Sequence, residues 1–451
     1  MTPLVALLVA YSIGLIALGL WMGRRVRDSQ DFFVAGRTLG PGLIFATFLA
    51  ANIGAGSTVG ATGYAYNDGL AAWWWNGSAG LGSLVLAFWV GPRIWHEASR
   101  LNLMTAGDFL EHHFGRGVRG LAAGIIWLGS FAILCGQLRG AAEVIQTVAG
   151  FSLQTGALIA AAITGAYFVA GGLVSAATVN LFQLVIILTG FAIAAPMVSS
   201  AAGGFGATVG DSNFWRGPQV GWQTLLLLGP AFFLSPGLLQ KAFGARDTRA
   251  VTRGVAWNGV VLLAFAFLPV MLGLAARVLH PGLERPEMAL PTVLANDVPT
   301  FVGAFALAAV FSAELSTADA VLFMLATSGA RDFYRGFVRP QASDADVLRV
   351  ARLLAIVGCA VGYLLTYVFD SVVSALTMFY SVLVVTLFAP ILGGLYLPKA
   401  GRFSALAAML VGVTILGTTH LMTAGLGYGW ATPPFLGLIA SGLTYLILAV
   451  F

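Results

Sequence analysis

Of 451 residues, 59% are hydrophobic and only 9% charged, with a net charge of +5 and a mean hydropathy of +0.89. A soluble domain carries about 25% charged residues, so this composition cannot clothe an ordinary water-facing surface. No hydrophilic block is long enough to fold separately, which argues against appended catalytic or DNA-binding domains and against nucleic acid as a partner. The solvent this chain requires is a lipid bilayer.

Taken in chain order, Met1 to Met22 is apolar and lacks both a basic n-region and a small-residue cleavage pattern, so it predicts a retained helix. A bilayer core asks for about 20 apolar residues per helix. Stretches of that kind predict thirteen spans, at roughly 3–22, 40–66, 69–95, 117–149, 153–170, 172–200, 222–241, 250–279, 299–330, 350–369, 373–397, 402–424 and 431–451. Only Gly171 and Gly172 divide the fifth from the sixth. Cys135 and Cys359 fall inside apolar stretches and read as small packing residues.

The basic residues orient these spans. Arg24, Arg25, Arg27 and Arg37 fall on one side, with Arg93, Arg100, Arg116 and Arg119. Lys241, Arg246, Arg249 and Arg253 follow on the same side, then Arg331, Arg335, Arg339, Arg349 and Arg352, and finally Lys399 and Arg402. That is nineteen of the 23 Lys and Arg, leaving Arg139, Arg216, Arg277 and Arg285. By the positive-inside rule the N-terminus is predicted outside and the C-terminus inside. His96, His112 and His113 fall in a basic loop and are expected to be solvated.

Two spans are poor continuous helices. The second holds Asn52–Ile53–Gly54–Ala55–Gly56–Ser57–Thr58 at its middle, and the seventh holds Gly229–Pro230 and Ser235–Pro236–Gly237. Both residue types weaken an intrahelical ladder. Freed backbone groups in a bilayer persist only where they line a cavity, and interrupted helices at matching positions point to a midplane site between inverted repeats. Ala313, Ser316 and Thr317, spaced i, i+3, i+4, share one face of the ninth span. Hydroxyls and unwound carbonyls are hard ligands for a small cation, although Ser and Thr also back-bond within membrane helices.

In their order and spacing these residues resemble the sodium/solute symporter family. The stretch Asp31–Phe32–Phe33–Val34–Ala35–Gly36–Arg37–Thr38–Leu39–Gly40 is similar to the opening of its first repeat, followed by Ala50–Ala51–Asn52–Ile53 and Gly63–Tyr64–Ala65–Tyr66. Tyr167, Gly171–Gly172–Leu173 and Gln183 resemble a second segment, and Gln240–Lys241 with Arg246 a third. Ser316–Thr317–Ala318–Asp319 with Arg331–Asp332–Phe333–Tyr334 resembles a fourth. The resemblance runs from about Asp31 to Lys399. It implies an all-α integral membrane protein of LeuT-type fold, a single transporter domain with five-plus-five inverted repeats. The first repeat would span 31–200 and the second 201–400, with an extra helix in 1–30 and two in 401–451.

The resemblance further implies sodium ligands at the backbone oxygens of Ala50, Ile53 and Ala313 and the hydroxyls of Ser316 and Thr317. It places solute-site candidates at Ser57, Asn76, Phe232, Thr377 and Tyr380. Val179–Asn180 stands where the family has Thr-Asp, so an amide replaces a carboxylate and a second sodium site is in doubt. Glu314 and Asp319 flank the sodium face on opposite sides, at about 100° per residue. They would tune the cation site, carry protons, or pair with a neighbouring helix. Arg139 either pairs with Glu143 one turn on or meets an anionic group of the solute. Trp73, Trp74 and Trp75 suit either an interfacial belt or stacking on the solute.

The expected activity is therefore sodium-coupled symport of a small polar or anionic solute by alternating access, with no cofactor beyond the ion. The expected location is a bacterial cytoplasmic (inner) membrane. Proton coupling through Glu314 or Asp319, or a membrane-embedded solute sensor, are the alternatives. An intramembrane enzyme would need a nucleophile, a metal set or an aspartyl pair facing one cavity, and the sequence offers none of these.

Overall fold

The computed structural model describes residues 3–23, 33–210, 212–215, 218–397 and 400–450. Arg24, Arg25, Arg27, Asp31, Phe32, Arg216 and Lys399 lie outside them. Among the described residues the chain is helical throughout, without strands and with two isolated bridges.

Helix α1 (Pro3–Gly23) precedes the broken span formed by α2 (Pro41–Asn52), a π-helical turn Gly56–Gly60 and α3 (Ala61–Asp68). After α4 (Trp73–Val85) and α5 (Gly91–Arg100) come the short α6 (Ala106–Phe114) and the long α7 (Arg116–Ala149). Next are α8 (Leu153–Ala201), the single turn α9 (Phe205–Val209), α10 (Pro218–Leu234), α11 (Pro236–Phe243), α12 (Thr248–Phe265) and α13 (Phe267–Leu279). The chain ends with α14 (Ala289–Asn296), α15 (Thr300–Thr327) running into a π-helical segment Ser328–Val338, α16 (Asp344–Leu365), α17 (Val372–Tyr396), α18 (Arg402–Met422) and α19 (Pro433–Val450).

By length and hydropathy, eight helices among the described residues suit a membrane crossing, and a ninth if the bent pair Pro41–Asn52 and Gly56–Arg100 is one span. Three more apolar helices, Leu8–Leu18, Leu153–Ala166 and Pro433–Ala449, are shorter. The expected boundary at Gly171 and Gly172 falls within continuous helical backbone, between the apolar stretches Leu153–Ala166 and Ala176–Ala201. The 49 helical residues from Leu153 to Ala201 have a contour of about 74 Å at ~1.5 Å per residue, enough for two crossings of a bilayer core of about 30 Å.

Burial separates centre from periphery. The window of Thr300–Val338 is 83% buried, against 33% for Asp344–Leu365 and for Arg402–Met422. So α15 is the axial helix, packed on α7, α8 and α2, while α16 and α18 turn a face outward. The segments preceding α2 and following α11 meet: Leu39 N–H donates to Gly244 O at 3.1 Å and Arg246 N–H to Leu39 O at 3.0 Å. The Arg37 guanidinium clamps the same place through the Phe243, Ala98 and Leu103 carbonyls at 2.7–3.1 Å.

Candidate functional site

The break after Asn52 builds the site. Ile53 is extended (φ −100°, ψ 97°), and the axis bends by 63° between Pro41–Asn52 and Gly56–Arg100. A Cβ on Gly54 would land on Gln137 Oε1 and on the Thr317 side chain, so only glycine lets the broken strand of backbone sit this close to α7 and α15. The loosened ladder leaves carbonyls that α15 collects. Ser316 Oγ donates to Ala50 O at 3.0 Å and Ala313 O at 2.9 Å, and Thr317 Oγ1 to Ala50 O and Ile53 O, both at 3.1 Å.

All five predicted ion-site residues thus meet in one buried cluster. Each hydroxyl has one proton and two carbonyl acceptors. The cluster is oxygen-rich and short of positive charge, the chemistry by which unwound carbonyls and helix hydroxyls take a small cation.

Around it the polar groups are locked. Gln137 Oε1 accepts from Ala55 N–H at 2.8 Å, and Ser57 Oγ donates to Asn52 O at 2.6 Å. Asn76 Nδ2 donates to Ser57 O at 2.9 Å and Asn52 Nδ2 to Asn258 Oδ1 at 3.1 Å. Ser57, Asn76, Phe232 and Tyr380 line one small cavity with Trp75, Gln137 and Thr317. The Phe232 and Tyr380 rings lie 5.6 Å apart. The cavity holds about 20 Å³, with an adjoining space of about 50 Å³ that reaches Ser235, Lys241 and Met324. That is room for water rather than a solute.

Thr377 does not line that cavity. It lines a larger vestibule of about 330 Å³ with Tyr64, Asp68, Trp75, Gln223 and Phe435. The tryptophans also divide. Trp75 is 7% exposed and bridges cavity and vestibule, while Trp73 and Trp74 pack on Phe214, Trp215 and Phe267.

The charged candidates are placed differently from the sequence reading. Arg139 does not pair with Glu143 and does not line the cavity; it donates to Thr366 O at 3.1 Å and Phe369 O at 2.8 Å, just beyond the C-terminus of α16. Glu143 pairs with Arg285 instead. Beside them Glu287 accepts from Val372 N–H at 2.7 Å at the start of α17, and burial pushes its carboxyl up from the usual carboxylate range. The positive end of a helix holds one acid, and carbonyls at a helix end hold one arginine.

Glu314 is wholly buried; its Oε1 is 2.8 Å from Thr58 Oγ1, and its Oε2 has no hydrogen-bond partner. Asp319 on the opposite side interacts electrostatically with Lys241, whose Nζ donates to Thr47 O at 3.0 Å. His113, expected in solvent, is 16% exposed and meets Glu97 at 2.8 Å, while His96 and His112 are exposed. The sequence reading missed Gln137, Asn258 and Lys241. A lone amide or ammonium inside an apolar span is itself a signal, which Gln137 carried unnoticed beside Arg139.

Comparisons with known proteins agree with this architecture. The chain is 26% identical over 478 aligned positions to the sodium/pantothenate symporter of Escherichia coli (strain K12), covering 98% of this chain and 95% of that one. It is 24% identical over 422 positions to a high-affinity proline transporter of Bacillus subtilis (strain 168), 88% of each. A Na+-coupled sialic acid symporter, solved substrate-bound and outward-open, shares the fold with a TM-score of 0.87, over 99% of this chain and 98% of that one at 16% identity. The profile of the sodium:solute symporter family matches residues 32–412; the chain belongs to that family.

Proposed function

We propose that this family member imports a small polar solute by alternating access, coupled to sodium bound by the Ala50, Ile53 and Ala313 carbonyls and the Ser316 and Thr317 hydroxyls. The observation that carries the reading is the reach of both hydroxyls on α15 to the broken backbone of α2. Thr317 also lines the small cavity with Ser57, Asn76, Phe232 and Tyr380, so the ion and the solute share a wall, which is what coupling requires. The relatives named above carry pantothenate, proline and sialic acid. An anionic group would find no help from Arg139, whose guanidinium is engaged at the end of α16. In proteoliposomes, uptake is expected to follow an inward sodium gradient. Full uptake driven by a proton gradient alone would transfer the coupling to Glu314 or Asp319.

The orientation belongs to the same reading: thirteen spans in a bacterial inner membrane, repeats at 31–200 and 201–400, and the N-terminus outside. The vestibule at Asp68, Gln223 and Thr377 then opens outward and the face bearing Arg93 and Arg331 inward. Cysteines at Ser212 and Ser343, in a protein lacking Cys135 and Cys359, are expected to label from opposite sides of the membrane. Labelling from one side would remove the thirteen-span topology.

A further inference from the structure

Two cavities open on the arginine-bearing face, and their charge balance differs. The first, lined by Asp108, Glu111, Arg116, Arg119, Arg331 and Arg335 among others, is neutralised from within. There Arg119 meets Asp108 at 3.1 Å, Asp332 at 2.9 Å and Glu111. Arg331 meets Asp108 at 3.0 Å, Arg335 meets Asp344 at 3.1 Å and Arg116 meets Glu111 at 3.3 Å. Every arginine in it has a carboxylate.

The second, of about 600 Å³, lies along α5 and is lined by Arg93, His96, Glu97, Arg100, Thr248 and Leu395, with Pro92. Arg93, His96 and Arg100 are spaced i, i+3, i+7, on one helix face. Among the described residues Glu97 is the one acid lining this cavity, and it is taken by His113. Arg93 has no carboxylate partner among the described residues; it is held by Tyr396, with the guanidinium 4.7 Å from the ring centroid and Nη1 donating to the hydroxyl at 2.9 Å. Arg100 is exposed and has no ion pair among the described residues. Just before this face along the chain, Phe88 and Trp89 are 66% and 44% exposed, and Trp89 stacks on Tyr396 at 5.1 Å. The positive rim of the groove, its first arginine fixed in place through Tyr396, therefore lies next to an exposed aromatic wall that precedes it along the chain.

We infer that this groove along α5 binds the headgroup of an anionic phospholipid, its phosphate between Arg93 and Arg100 and its acyl chain along Phe88 and Trp89. Guanidinium is the side chain suited to paired hydrogen bonds to phosphate, and basic pockets at the membrane edge are the usual place for such headgroups. A soluble anion would be served by the rim alone and would have no use for the exposed aromatic wall.

Native mass spectrometry of the full chain, titrated with phosphatidylglycerol or phosphatidylcholine, tests it. Phosphatidylglycerol is expected to be retained preferentially, and Arg93→Gln/Arg100→Gln to weaken that retention by about thirtyfold, the size expected of two interfacial arginines. Arg100→Gln alone, at an exposed position without an ion pair among the described residues, is expected to fold and to give part of the loss. Arg116→Gln in the neutralised cavity is expected to give none. Unchanged retention in the double variant overturns the site, and so does an equal loss in Arg116→Gln, which would mean diffuse attraction. Competition by millimolar inorganic phosphate that is lost with the same arginines would make the groove a site for the free anion and would overturn the lipid assignment.

Discussion

The two interrupted helices look alike in sequence and behave differently in space. At the first, between α2 and the π-helical turn, three residues leave the helix and the axis turns by 63°. The carbonyls of Ala50 and Ile53 are handed to side chains of α15. At the second, between α10 and α11, only Ser235 departs (φ −53°, ψ 121°). Its N–H still donates to Ala231 O, and its O accepts from Leu239 N–H, both at 2.9 Å. Pro230 sits inside a helix that does not stop for it. Proline deletes a donor and so leaves one unpaired carbonyl, whereas a glycine-rich break lets a neighbouring helix come close enough to use several. The first break is a cradle of oxygens shared with α15; the second is a bend.

The sharpest way to break this contrast is to change one residue in each. Gly54→Ala would drive a methyl into Gln137 and Thr317. Overpacking of this kind costs about 1–3 kcal/mol, so the sodium-dependent rise in thermal stability is expected to weaken about a hundredfold in sodium concentration, or vanish, in protein that still purifies as a single species. Pro236→Ala, which restores a donor, is expected to shift the same curve by less than about threefold. Equal effects would erase the distinction between cradle and bend.

Next in size come Ser316→Ala and Thr317→Ala. Each removes one oxygen from a buried cluster and leaves a good helix former in α15. A partner left unsatisfied costs about 1–3 kcal/mol, or about five- to a hundredfold in sodium affinity. Since ion and solute affinities are linked reciprocally, solute binding is expected to weaken at low sodium and recover at high sodium. A half-saturating sodium concentration that moves in neither variant would place the cation elsewhere.

What could be read beforehand was whatever lies close together along the chain. Asn52 to Thr58 shows its break, and Ala313, Ser316 and Thr317 show their common face, because the information is contained within one or two helical turns. Contacts between distant segments could not be read in this way. Glu143 has Arg139 one turn away, yet its partner is Arg285, 142 residues on, because α7 turns Arg139 toward the end of α16. His113 looked solvated until the pairing of α5 with α6 brought Glu97 to it. Of the solute-site candidates, four of the five carried over from the family meet at one cavity and Thr377 does not, since neighbouring positions on α17 face different spaces.

The smallest effect is expected at Asn180, where the family resemblance would have put a carboxylate. Its side chain is 1% exposed, and neither Oδ1 nor Nδ2 has a hydrogen-bond partner. Of the neighbouring Gln183, Nε2 reaches Tyr11 OH at 3.4 Å, which itself donates to Ser312 Oγ at 2.5 Å, while Gln183 Oε1 also has no hydrogen-bond partner among the described residues. A buried amide in this state contributes nothing that an apolar side chain would lose. Replacing an unsatisfied polar group by an apolar one of similar bulk is close to neutral or stabilising, less a packing mismatch of under about 1.5 kcal/mol. Asn180→Leu is therefore expected to leave the melting temperature unchanged or higher, and to move half-saturating sodium by less than about twofold. Ser316 on the axial helix is expected to move that value far more, although both are buried polar residues. The difference is that the oxygens of Ser316 and Ala50 face each other, while the amide of Asn180 faces no such partner. A tenfold rise in half-saturating sodium for Asn180→Leu would show that the amide takes part in holding a cation, and that a carboxylate is not required for a second ion at this place in the fold.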